Sequence, residues 1–197
     1  MAIGVGVVLA LLIASELLLP GIAERRVRGR LTKDGGSAQV SVSSRPALRL
    51  LFGDGERIAI RARGVRFELP AFGSSAREDV FSKLDGFDAV DISMDDLTAS
   101  PFHADRLTLT RASGQADYRL RVSATATPSD LGSYVGGPLG GIGAGLLGGA
   151  APVAVRGDYL LRSDGGRPRT VSGSGSVAGI PVGTLGAAFA DAVLSGL

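Results

Sequence analysis

Two stretches of this chain alternate apolar and polar residues and then fall out of step by one residue. In residues 57–69, Ile58, Ile60 and Ala62 share one side with Arg57, Arg61 and Arg63 opposite; beyond Gly64 the apolar side passes to Val65, Phe67 and Leu69. A two-residue period belongs to a strand with one buried face. A one-residue change of phase at a glycine is what a β-bulge produces. Residues 86–97 repeat the device, with Phe87 and Ala89 odd and Val90, Ile92 and Met94 even. Bulges bend strands, so a strongly curved sheet is expected.

The same period recurs elsewhere. Ala38 to Ser43 and Arg106 to Arg111 alternate strictly, and Ala116 to Ala126 sets Tyr118, Leu120, Val122 and Ala124 against Arg119, Arg121, Ser123 and Thr125. Residues 153–162 and 170–177 read as a hairpin around Asp164-Gly165-Gly166. Ser44-Arg45-Pro46 opens a brief helical turn from Ala47 to Phe52, ended by Gly53-Asp54-Gly55. Ile22, Ala23, Val27 and Leu31 suit one face of a short amphipathic helix, and Thr184 suits the cap of a last one. About seven mostly antiparallel strands and a few short helices give an α+β class with a curved sheet.

Ahead of the strands stands Met1 to Leu19, in which Glu16 is the one charged side chain. A spanning helix needs about 20 apolar residues, a length reached here only by including Glu16. A cleaved signal wants a positive start and a small-x-small site; the best site, after Ala14, has Leu12 where a small residue is preferred. Arg25, Arg26, Arg28, Arg30 and Lys33 follow, and by the positive-inside tendency such a collar holds the next domain in the cytoplasm. Yet Glu16 and Pro20 near the end of the run make a poor stop signal for a retained span. The expectation adopted is a signal or anchor segment at residues 1–21 and a single domain at 22–197. The domain is expected on the exported, periplasmic side of the cell envelope, associated with the membrane through the leader. A plain core helix is the alternative.

Composition narrows the chemistry. With 197 residues the chain has room for one domain besides the leader. Hydrophobic residues make up 45% but aromatics only 5%, so the core must be aliphatic. The absence of cysteine excludes disulfides, thiolate metal sites and a cysteine nucleophile. A net charge of +2 is too small to suggest nucleic acid as a partner.

No constellation of residues points to catalysis. Gly143-Ala144-Gly145-Leu146-Leu147-Gly148 matches a dinucleotide fingerprint, but more glycine precedes it and Pro152 cuts short any following helix. Gly137, Gly141, Gly145 and Gly149 lie four apart with Leu139, Ile142, Leu146 and Leu147 between them. A spanning helix there is disfavoured by the helix cost of each glycine, nearly 1 kcal/mol. A mobile apolar flap and a flexible connection with tucked-in leucines both remain open. Asp85, Asp88, Asp91, Asp95 and Asp96, with Glu78 and Asp79, lack calcium-loop spacing and read as a solvated strand face and turn caps. His103 is the only histidine and reads as a loop residue after Pro101-Phe102, without triad or zinc partners. No cofactor and no metal are expected, and the protein reads as a non-enzyme.

The order of features is similar to one known family. The apolar leader runs into Ala23-Glu24-Arg25-Arg26-Val27, then Val40-Ser41-Val42-Ser43-Ser44-Arg45-Pro46-Ala47-Leu48-Arg49-Leu50-Leu51-Phe52-Gly53 and a long strand. Residues 124–134 and Gly179-Ile180-Pro181-Val182 continue the pattern. Most of the chain after the leader thereby resembles the LmeA-like phospholipid-binding family of actinobacterial cell-envelope proteins. The resemblance implies a non-enzymatic envelope protein that binds anionic phospholipid, phosphoinositides included, and supports lipoglycan or envelope assembly. It also implies a curved sheet wrapped around the short helices, broadly like tubular lipid-binding domains, and offers no catalytic residues. The glycine-rich segment from Tyr134 to Ala151 departs from the family pattern.

A lipid-binding module is therefore expected, with Ile58, Ile60, Phe67, Leu120 and Val122 lining an aliphatic groove. Leu50, Leu51, Phe52 and the segment bearing Leu139, Ile142, Leu146 and Leu147 would edge it. Arg25, Arg26, Arg28 and Arg30 would meet phosphate head groups, each charge contributing about 1 kcal/mol near an anionic membrane; a solvated helix flank is the alternative. The rival function is a membrane-anchored structural scaffold that recruits envelope proteins and has no lipid cavity.

Overall fold

Alternation sets one open, curved sheet. Strand β1 (Ser37–Ser43) buries Ala38, Val40 and Val42, and β2 (Gly55–Arg63) buries Ile58, Ile60 and Ala62 on the same face. Between them the 3-10 helix η1 (Ala47–Phe52) forms where the sequence predicts a helical turn. After β2 come β3 (Arg66–Glu68), the short helix α2 (Val80–Asp85) and the long β4 (Phe87–Ser100). Strands β5 (Phe102–Arg111), β6 (Asp117–Ala126), β7 (Val153–Asp164), β8 (Arg167–Val177) and β9 (Ile180–Pro181) follow. Helix α1 precedes them all, helical at 21–22, 24–29 and 31. The computed structural model describes residues 21–22, 24–29, 31–33, 35–68, 80–100, 102–127 and 151–181; at 67, 68, 80, 99, 100 and 102 it describes backbone alone. The expected leader, the glycine-rich segment and the Thr184 helix lie outside the described residues.

The strand order is β1-β2-β4-β5-β6-β7-β8-β9, with β3 beside β4. Neighbours run antiparallel except that β2 and β3 both run parallel to β4. The expectation of a mostly antiparallel sheet holds; the parallel pair is new, and it requires a crossover, which includes α2. The helices among the described residues are few and short, consistent with an α+β class. Among the described residues no helix is long and apolar enough to cross a membrane.

The expected bulge at Gly64 takes a different form. Ala62 and Val65 are both buried, so the phase does change there. But Met94 and Leu97 of β4, and Leu107 and Ala104 of β5, make the same three-residue step at the same level. Register between β2/β3 and β4 is therefore unbroken: Arg63 pairs with Asp95 and Arg66 with Thr98. The interposed residues Gly64, Asp96 and Asp105 lie in line across three strands, forming a crease. Only at β6, which buries every second residue, is the mismatch absorbed, as a bulge between Ala104 and Arg106. The second expected change, after Ala89, is matched in the same way: Phe87 and Val90 sit opposite Gly55 and Ile58, all four buried.

The register also fixes two ends of the sheet. At one end lie Gly55, Phe87, Arg111, Asp117 and Asp164, together with η1 and the last turn of α2. At the other lie Arg66, Thr98 and His103, with the pair Ala126–Val153 that brackets residues 127–152. Ten residues of β6 separate the two, about 30 Å at strand rise. Helix α1 runs back along β1: Val42 N–H donates to Glu24 Oε1 at 3.1 Å, and Val27 and Leu31 pack on the core. Its first residues consequently point to the η1 end.

Candidate functional site

The apolar face comes first, because most expected lining residues fall on it. Ile58, Ile60, Leu120 and Val122 are 0–6% exposed and belong to one cluster with Val40, Val90, Ile92, Leu107 and Leu109. The opposite face is mostly polar, with Leu160, opposite Arg119, as an exposed exception. Arg57 pairs with Asp91, Arg106 with Asp95, and Arg162 with Asp117, while Arg119 and Arg121 converge on Asp158. Hydrogen bonds from Arg162 and Arg119 hold the Asp117 and Asp158 carboxyls below the usual carboxylate range. Asp88, Asp91 and Asp95 thus stand on the solvated side of β4, as expected, whereas Asp85 closes α2 and faces Tyr118 and Ser163. Among the described residues no group of three or more His, Cys, Asp or Glu is placed to hold a metal.

Helix η1 divides its leucines. Leu50 is partly buried and packs against the core, whereas Leu51 is 63% and Phe52 82% exposed. The geometry is enforced by the helix end. Gly53, with φ 81°, donates its N–H to Leu50 O at 3.2 Å, and Asp54 N–H donates to Arg49 O at 3.0 Å. This crossed pair of bonds is a Schellman stop, which locks the last turn. Leaving an aromatic ring in water forgoes about 2 kcal/mol of burial, in a chain that has only seven Phe, three Tyr and no Trp. Arg45, just before Pro46, is exposed and Arg49, in the last turn, is half-buried, and neither has a carboxylate partner among the described residues.

The structure brings together some of the expected residues and not others. Leu51 and Phe52 are exposed at the η1 end and, unlike Leu50, do not pack against the core. The strand ends bracketing Leu139, Ile142, Leu146 and Leu147 belong to the other end of the sheet, and those four residues lie outside the described ones. Phe67 takes its place in β3, opposite Ala99. Arg25, Arg26 and Arg28 are exposed on α1, Arg25 Nε donating to Gly21 O at 3.2 Å, and Arg30 lies outside the described residues. His103 is a strand residue of β5 and not a loop residue, because β5 starts earlier than its alternation shows; its Nε2 lies 3.5 Å from Asp96 Oδ1.

One polar cluster has no counterpart in the sequence reading. Arg111, at the end of β5, donates to the carbonyls of Leu84, Asp85 and Phe87 and so caps the C-terminus of α2. Its guanidinium lies 4.4 Å over the Tyr118 ring, while Tyr118 O–H donates to Asp85 Oδ1 at 2.8 Å and Ser163 O–H donates to Asp85 Oδ2. Phe81, fully buried, stacks on Tyr118 with ring centroids 4.3 Å apart. Burial pushes the Tyr118 phenol up, the Asp85 bond pushes it further, and the Arg111 charge opposes both. A neutral phenol, an arginine engaged by three carbonyls and a carboxylate facing Tyr118, Ser163 and Arg111 form a clasp that docks α2 on the sheet. No member is left as a free base or nucleophile.

Compared with protein-family models, curated proteins and solved structures, the chain finds no match.

Proposed function

We propose that this is a non-enzymatic cell-envelope protein that binds anionic phospholipid through the apolar face of its curved sheet, supporting lipoglycan or envelope assembly. The observation that carries the reading is the continuity of that face. Strands β1, β2, β4, β5, β6 and β7 each contribute aliphatic side chains to one surface, and the exposed arginines of these strands stand on the other side. Acyl chains are aliphatic, and a face of Val, Ile and Leu offers them the same contact it offers a filled core. The likeness of the chain's order of features to phospholipid-binding envelope proteins supports the reading, as does the exposed arginine collar of α1. A tubular arrangement of sheet around helices belongs to the same proposal.

A second reading is favoured by how completely Leu109 and Leu120 are already covered, both at 0% exposure. A scaffold with a filled core would recruit envelope proteins through a sheet edge or an exposed apolar tip. Native mass spectrometry of the full chain, extracted gently from its own host, separates the two. The lipid reading expects a stoichiometric phospholipid that survives transfer to the gas phase. A chain that arrives empty and takes up no anionic phospholipid from vesicles would leave the scaffold standing.

A further inference from the structure

We infer that the η1 end of the domain is a bilayer-docking tip, in which Leu51 and Phe52 enter the interface of an anionic membrane and Arg45 and Arg49 meet its phosphates. This goes beyond lipid carriage, because a tip can seat on a bilayer whether or not a lipid is held on the sheet.

Three observations converge on it. The first is the locked exposure of two large apolar side chains on a rigid turn. Leu51 and Phe52 are consecutive, outward and held there by the bonds of Gly53 and Asp54 to the preceding turn, not by a floppy loop. The second is charge. Arginine suits phosphate because its planar fork makes two parallel hydrogen bonds. Arg49 shares the last turn of η1 with the apolar pair and Arg45 immediately precedes Pro46 at its start, neither with a carboxylate partner among the described residues. Asp54 is the nearest acid in sequence, on the far side of the helix stop. The third is chain continuity. The Glu24–Val42 bond and the packing of Leu31 set α1 antiparallel to β1, so the chain enters the domain at the η1 end. Ile22, 52% exposed, stands at that entry, just after the apolar sequence Met1 to Leu19. A bilayer is the occupant that meets an apolar leader and an apolar-basic turn at one end of one domain.

The absence of tryptophan makes the test direct. The full chain carrying Phe52→Trp is reconstituted in vesicles of phosphatidylcholine, with and without phosphatidylglycerol, some with brominated acyl chains. Docking expects a blue-shifted indole emission from this variant that brominated lipid quenches, more strongly when phosphatidylglycerol is present. Val171→Trp, on β8 at 50% exposure, serves as the control and stays unquenched. Adding Arg45→Gln and Arg49→Gln to the Phe52→Trp chain lowers the ratio of docked to free tip about 30-fold, at about 1 kcal/mol per charge. An indole at position 52 that behaves like the Val171→Trp control in anionic vesicles overturns the proposal. So does one shielded from aqueous acrylamide but untouched by brominated lipid, since that assigns the tip to a protein contact. The quenching is independent of whether native mass spectrometry finds a carried lipid, so the two proposals fail separately.

Discussion

Gly64 and Asp96 face each other across parallel strands, and both hold left-handed backbones, at φ 66° and 55°. Gly64 N–H donates to Asp95 O at 3.1 Å, and Thr98 N–H donates to Val65 O at 2.9 Å, so the ladder closes on both sides of the pair. Two strands thus change phase together and keep their register. Gly36, just before β1, continues the line: a side-chain carbon there would lie 2.5 Å from Gly64 O.

Substitution along this line separates backbone strain from collision. A Cβ at Gly64 meets nothing closer than 3.7 Å, so Gly64→Ala carries the left-handed cost alone, about 1–2 kcal/mol. Gly36→Ala adds a backbone clash to its own positive φ of 87° and is expected to cost clearly more. Urea midpoints of the two variants, measured side by side, check the ranking.

Leu120→Ala distinguishes a filled core from a ligand-lined one. If neighbouring side chains fill the space around this fully covered residue, truncation costs about 2–5 kcal/mol whatever lipid is present. The lipid-binding proposal expects a smaller loss in the lipid-free protein, together with loss of the copurifying phospholipid. Denaturation of lipid-stripped protein and lipid extraction from the same preparation read both quantities.

The clasp around Asp85 predicts an alkaline limit. Burial and the Asp85 bond raise the Tyr118 phenol above its unfolded value of about 10, and burial raises Tyr159 in the same direction. A raised value means the folded state keeps the proton longer, so this stability is fully present below about pH 10 and is lost as pH rises further. Tyr118→Phe gives up about 1 kcal/mol near neutrality through the missing hydrogen bond. It also flattens the alkaline decline, as urea midpoints between about pH 8 and 11 would record.

Tyr159 rests on glycines. A side-chain carbon at Gly173 would collide with its ring and lie 2.7 Å from Asp158 O, and one at Gly175 would collide with its hydroxyl. Gly173→Ala is therefore expected to cost about 2–3 kcal/mol by overpacking. In the double variant with Tyr159→Leu the two losses fall short of their sum, because the smaller side chain yields the space. A thermal-melt cycle of the four proteins measures the coupling.

Most strands were legible because burial on one face writes a two-residue period into the sequence. β1, β6 and the β7–β8 hairpin fall almost where their alternation puts them, and η1 falls where Pro46 and Gly53 bracket it. What escaped was relational. Nothing in the spacing of Gly64 and Asp96 says that two phase changes will meet in parallel register and cancel. Nor does it say that Asp85, Arg111, Tyr118 and Ser163, drawn from four elements, will converge. The lining residues were recognisable as apolar, but alternation describes a groove wall and a filled core in the same letters. Leu51 and Phe52 carried a signal, being more apolar than a surface turn needs, yet only the helix stop at Gly53 shows which way they point.

The separation of the two sheet ends has an electrostatic consequence. With η1 seated on a charged bilayer and the strands upright, the strand ends at Ala126 and Val153 stand about 30 Å above it, some three to four screening lengths at physiological salt. The surface potential has decayed there to a few per cent. The points from which residues 127–152 depart therefore sit in effectively bulk electrolyte, where a glycine-dense sequence almost without charge gives up nothing for its lack of basic residues.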